Sequence, residues 1–170
     1  MRRLLSLVAG GLMAASFGAG LALAGDGPLP ANVQDVRAAV ARYHSVARAA
    51  ADGYFAASPC ESSPAGTMGI HFINPALFGP GIDPLKPEIL VYLPGADGSM
   101  KLVAVEYFSV DADQDLATAE DKPSVLGQPF DGPMLGHTPT MPIHYDLHVW
   151  VAEGNPAGLF AQWNPAISCP

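Results

Sequence analysis

Two histidines and an aspartate alternate with apolar residues near the C-terminal end of the chain. They are His144, Asp146 and His148. Successive side chains of a β-strand point to opposite faces. A strand over residues 143–152 therefore places all three on one face, while the residues between them pack on a core. Two imidazoles and a carboxylate on one face are typical of a metal site or of a site that handles protons.

Two residues of other predicted strands can complete such a site. His71 lies in a short strand over residues 69–73, and Glu106 lies in the middle of an apolar strand over residues 100–110. A carboxylate in that setting costs free energy unless it is paired, hydrogen-bonded or bound to a cation. If both face the same side as His144 and His148, the four supply three nitrogen ligands and one oxygen ligand to a divalent ion.

The two carboxylates have further possible roles in this predicted site. Glu106 is a candidate fourth metal ligand or catalytic base. Asp146 is a second candidate for acid–base catalysis. It could instead be a metal ligand, or a partner that holds an imidazole in one orientation. The opposing interpretation is that the polar face is a solvated strand face and that each histidine makes only a hydrogen bond.

The methionines bear on the identity of the metal. Three of them each precede a histidine by three residues: Met68 before His71, Met134 before His137 and Met141 before His144. Thioether with imidazole selects copper, whereas imidazole with carboxylate suits zinc, iron or Cu(II). Residues three apart point to opposite faces of a regular strand, so a shared ion requires a bend in the backbone. The alternative is that the methionines fill gaps in the core.

The N-terminus has the pattern of a secretory signal peptide. Two arginines precede an apolar run, which ends in an A-x-A site before Gly25. We predict a signal peptide at residues 1–24, one domain at residues 25–170, and export to the periplasm or the extracellular space without a stable membrane anchor. Sixteen acidic residues outnumber eight basic ones, which excludes nucleic acid as a natural partner and favours a metal ion or a small molecule.

The chain has two cysteines, Cys60 and Cys169. Disulfides form and persist in oxidising compartments, so the predicted export favours a disulfide that ties the C-terminus to the middle of the chain. A pair of thiolate metal ligands or a redox couple is the alternative, although the C-x-x-C spacing of such sites does not occur.

The predicted fold class is α+β. Apolar residues at helical spacing predict a long helix over residues 33–52, with Asn32 as its cap and Gly53 at its end. Four strands follow, over residues 69–73, 88–93, 100–110 and 143–152. The absence of alternating strands and helices favours an antiparallel sheet, so we expect the helix to pack on a curved sheet of about four strands. A cystatin-like cone is the leading analogy.

Two of these segments resemble a family of small exported bacterial proteins. The motifs are M-G-x-H-x-x-N, at Met68 to Asn74, and H-Y-D-L-H-V-W, at His144 to Trp150. The resemblance implies export. It also implies that the histidines of the two motifs belong to the sequence pattern of that family. It implies no activity.

Together these patterns predict an exported metal-binding protein that holds copper or zinc on one face of an antiparallel sheet. The predicted ligands are His71, His144, His148 and Glu106. Two alternatives are open. One is a metal-free protein with a small-ligand pocket, or a hydrolase or lyase that uses a histidine and a carboxylate. The other is an adhesion or assembly module.

Overall fold

The computed structural model describes residues 30–138 and 140–170, and most of its regular structure is antiparallel β-sheet. One sheet contains seven strands. Six of them form the path β1-β3-β4-β5-β9-β8, and β2 pairs with β3 beside that path; β6 and β7 form a separate pair. The strands are β1 (Phe55–Ala56), β2 (Glu61–Ser63), β3 (Gly66–Ile73), β4 (Ile89–Pro94), β5 (Met100–Val110), β6 (Ser124–Val125), β7 (Gln128–Pro129), β8 (Asp131–Met134) and β9 (His144–Val149).

The predicted fold, a long helix on about four strands, is wrong. The helical region consists of α1 (Ala31–Val40), a 3-10 turn (Ala41–His44) and α2 (Val46–Ala51). Ser45 breaks the helix because its backbone is extended, with φ −92° and ψ 108°, and its side chain accepts a hydrogen bond from the backbone N–H of Arg48. Serine competes for backbone donors in this way and so favours helix starts over helix interiors.

The cap of this helix also differs from expectation. Pro30, and not Asn32, occupies the N-cap position of α1. Asn32 lies inside the first turn, where its Oδ1 accepts from the backbone N–H of Val33 at 3.0 Å.

The two faces of the sheet are both covered. One carries the main apolar cluster, where Val33, Val36 and Val40 of α1 pack with strand residues such as Tyr107 and Tyr145. Every residue of β9 is buried. The face of β9 that carries the histidines is therefore not exposed to solvent, which contradicts the alternative interpretation of a solvated strand face. Loops cover that second face, and they create the enclosed setting in which the histidines lie.

The predicted disulfide is present, between Cys60 and Cys169. It lies close to the site because Ser58, two residues before Cys60, hydrogen-bonds to His71. The C-terminal segment is also paired to the sheet through Thr67 and Asn164. The C-terminal segment is therefore fastened at two places, to Cys60 just before β2 and to Thr67 of β3.

Within the described ranges, none of the helices has both the length and the apolar character needed to cross a bilayer. The predicted signal peptide lies outside the described residues, and the single-domain prediction stays a prediction.

Candidate metal centre

Three strands bring His71, Glu106 and His148 together in one cluster. Glu106 of β5 and His148 of β9 are directly paired in the sheet. His71 comes from β3, on the other side of β4. The Oε2 atom of Glu106 lies 3.3 Å from Nε2 of His71 and 3.6 Å from Nε2 of His148, and the two Nε2 atoms are 3.5 Å apart.

The size of this triangle suits one tetrahedral ion. Ligands held at about 2.0–2.2 Å around tetrahedral zinc are about 3.3–3.6 Å apart, and all three observed distances fall in that range. Octahedral magnesium, with ligands at about 2.0–2.1 Å, would need neighbouring ligands at about 2.8–3.0 Å. The triangle therefore has the dimensions of a zinc-type site before any side chain moves.

A serine fixes the orientation of the His71 ring. The Ser58 hydroxyl donates to the Pro59 carbonyl at 2.8 Å and lies 3.0 Å from Nδ1 of His71. With its proton directed at Pro59, Ser58 accepts from the tautomer of His71 that carries the proton on Nδ1. The Nε2 lone pair then points into the triangle. Metal-binding histidines are commonly held by an outer hydrogen bond of this kind.

Burial shifts the pKa values of all three groups in the cluster. Burial lowers the pKa of His71 to about 4, with a smaller effect of His137, and it lowers the pKa of His148 well below the usual value. Both imidazoles are therefore neutral at pH 7. Burial, and secondly the neighbouring Asp146, raises the pKa of Glu106 well above its usual value.

The pKa of Asp146 is raised for the same reason as that of Glu106. Burial raises its pKa to about 7, and Asp131 adds to the effect. Glu106 Oε2 and Asp146 Oδ1 are buried and have no hydrogen-bond partner among the described residues, and the same holds for His148 Nδ1. Two buried carboxyl groups lie beside two neutral imidazoles. They need a proton or a cation for charge balance.

The structure brings three of the four predicted ligands together, and His144 lies outside this triangle. His144 lies four residues before His148, which is about 13 Å along an extended strand. It groups instead with Asp146 and His137. Strand alternation places all three polar residues of β9 on one face, and the four-residue spacing of the two histidines separates them along that face.

A cavity of about 530 Å³ opens beside the triangle. His71, Glu106 and His148 all line it, together with apolar residues and the methionines Met68 and Met141. Met134 lies in β8, opposite His144. Two of the three methionines singled out by their spacing therefore reach the cavity.

A bulge at Gly69 explains how Met68 and His71 can both line that cavity. The pairing of β2 with β3 skips a residue at this point, since Glu61 is opposite Gly69 and Ser62 is opposite Thr67. Gly69 has φ +124°, and a Cβ there would lie 2.6 Å from the Tyr92 carbonyl oxygen. Only glycine fits that backbone.

Two contributing residues were missed in the sequence. His137 joins the second group, and its only sequence signal was the spacing from Met134. Ser58 orients His71, and no motif marks it, because the contact depends on how the loop before β2 folds against β3.

No protein-family model, no curated protein and no solved structure matches this chain. The resemblance to small exported bacterial proteins therefore stays a prediction. The site has to be interpreted from its own geometry.

Proposed function

We propose that this is an exported metal-binding protein, and that His71, Glu106 and His148 bind one zinc or copper ion. The observation that carries the proposal is the triangle of donor atoms with edges of 3.3, 3.5 and 3.6 Å. Two histidines and one glutamate are a known ligand set of catalytic zinc. The Cys60–Cys169 disulfide supports the export part of the proposal, since disulfides persist in oxidising compartments.

Charge balance supports the same conclusion. A divalent cation in the triangle neutralises Glu106, and it replaces the proton that burial otherwise keeps on that carboxyl group. Ligation also satisfies Glu106 Oε2, which has no hydrogen-bond partner among the described residues. Binding of the ion releases a proton, so the affinity falls as the pH is lowered.

The ligand set favours zinc or Cu(II), while the methionines leave room for Cu(I). Imidazole and carboxylate suit zinc and Cu(II), and thioether sulfur favours Cu(I). Met68 is buried and lines the same cavity as the triangle. A preference for Cu(I) would therefore implicate Met68 as an additional ligand.

A second candidate function is metal-dependent catalysis. Structural zinc sites have four protein ligands, whereas catalytic sites have three and leave one position for water or substrate. The triangle supplies three ligands and borders a cavity large enough for a small molecule. A metal-activated water at the open position is the chemistry that this arrangement supports.

The experiment that tests the proposal is metal analysis of the mature, disulfide-bonded protein, followed by titration calorimetry with zinc and, separately, with copper at pH 7.5. We expect tight binding of zinc or copper that Glu106→Gln weakens at least tenfold. Glutamine keeps the shape of the side chain but lacks the charge. If neither metal binds to the wild type, the proposal fails.

The orienting role of Ser58 gives a separate prediction. Ser58→Ala removes the acceptor that holds the His71 ring, so we expect the zinc affinity to fall by about 10–100-fold, the usual effect of losing an outer partner of a ligand. Ser62→Ala is the matched control, because Ser62 is an exposed serine of the adjacent β2. Equal zinc affinities of Ser58→Ala and the wild type would contradict the role assigned to Ser58.

A further inference from the structure

Beside the triangle lies a second group of potential ligands, formed by His137, His144 and Asp146. One donor atom of each lies within 4.8 Å of the donors of the other two. The Nε2 atom of His144 is 3.8 Å from Oδ2 of Asp146. None of the three belongs to the triangle.

The ring of His144 is held in a position suited to a ligand. Its Nδ1 lies 3.1 Å from the Pro142 carbonyl oxygen, which can only accept, so Nδ1 carries the proton. Nε2 is left with its lone pair directed toward Asp146. The ring stacks on Phe108, with centroids 5.0 Å apart and planes 26° apart, and Phe108 stacks in turn on Phe78.

The buried carboxyl of Asp146 is hydrogen-bonded to Glu106 and still has one oxygen without a partner. Its side chain is 1% exposed, and its Oδ1 atom has no hydrogen-bond partner among the described residues. Asp131, which is opposite it in β8, is another acid and adds negative charge. A buried carboxylate oxygen in these surroundings calls for a cation.

The third member, His137, comes from the loop before β9. That loop is anchored at its end by Gln114, whose side chain accepts from the Ile143 N–H at 2.9 Å and donates to the Ile143 carbonyl at 2.9 Å. The ring centroid of His137 is 5.9 Å from that of His144. His137 also lines the cavity beside the triangle, so it connects the second group to the same opening.

We propose that His137, His144 and Asp146 bind a second divalent transition-metal ion, so that the cavity holds two metal ions. Two imidazoles and a carboxylate suit zinc or Cu(II), as they do at the triangle. The second site uses different residues and goes beyond the proposed function. Its location gives the buried carboxyl group of Asp146 a ligand role of its own, beside that of Glu106 in the triangle.

Titration of the mature, disulfide-bonded protein with zinc alone tests this proposal, with the number of bound ions measured by calorimetry and by metal analysis after desalting. We expect two ions per chain in the wild type, one in His137→Ala and one in His148→Ala. His137 is exposed, so its removal is not expected to disturb folding. His44→Ala is the matched control, because it removes an exposed imidazole from the 3-10 turn and should still bind two ions.

Each other outcome has a distinct meaning. One ion in the wild type that is lost in His148→Ala and retained in His137→Ala overturns the second site and leaves the first intact. Two ions in both the wild type and His137→Ala place the second ion elsewhere and also overturn the assignment. No ion in the wild type overturns both sites.

Discussion

Zinc at about a thousand times its dissociation constant is expected to raise the free energy of unfolding of the wild type by about 4 kcal/mol for each site that it fills, and His148→Ala is expected to abolish the part that comes from the triangle. The effect is large because the ion binds the folded chain and its ligands come from three strands. The measurement is chemical denaturation of each variant with and without zinc at pH 7.5. Comparison within each variant removes the cost of the space left by the buried ring.

The pH dependence of the zinc effect has a definite sign. Protons compete with zinc at Glu106, whose pKa burial raises, so the gain in stability should shrink as the pH falls from 7.5 to 5.5. His44→Ala should behave as the wild type does, because His44 is exposed and far from the triangle in sequence. An equal gain from zinc in the wild type and in His148→Ala would exclude the triangle as the source of the stabilisation.

Replacement of both cysteines by serine is expected to lower the free energy of unfolding by about 4–5 kcal/mol, the chain-entropy value for a closed loop of about a hundred residues. Cys60 and Cys169 are 109 residues apart, so the disulfide restricts a large part of the unfolded chain. Urea denaturation of the oxidised wild type and the double variant measures the difference.

Reduction provides the control for the disulfide. A reducing agent should destabilise the wild type by a similar amount and leave the double serine variant unchanged. Two free thiols in the mature protein, detected by mass spectrometry without reduction, would show that the disulfide does not form.

The part of the site that could be predicted from the sequence is the part encoded by strand alternation. The pattern places a strand at Met100–Val110, where the structure has β5, and it puts a polar face on the strand that contains His148. It marks Glu106 as a carboxylate in an apolar strand, and Glu106 is indeed buried. These are local signals, and each is carried by a few neighbouring residues.

The rest depended on contacts between distant segments. Alternation gives the face of a residue and not its partners across the sheet, so it could not show that His148 lies beside His71 and Glu106. The helix prediction failed at Ser45, where apolar spacing continues but the serine side chain caps a new helix. The position of Ser58 against His71 follows from a loop fold that no periodic pattern records.

The sequence separation of the three ligands has a kinetic consequence. His71 and His148 are 77 residues apart and come from different strands, so the donors meet only after long-range strand pairing, which is slow relative to local folding. An ion captured by the complete triangle stabilises contacts that form late, and such contacts act on the unfolding rate. An ion bound there is expected to slow unfolding and to leave the folding rate nearly unchanged.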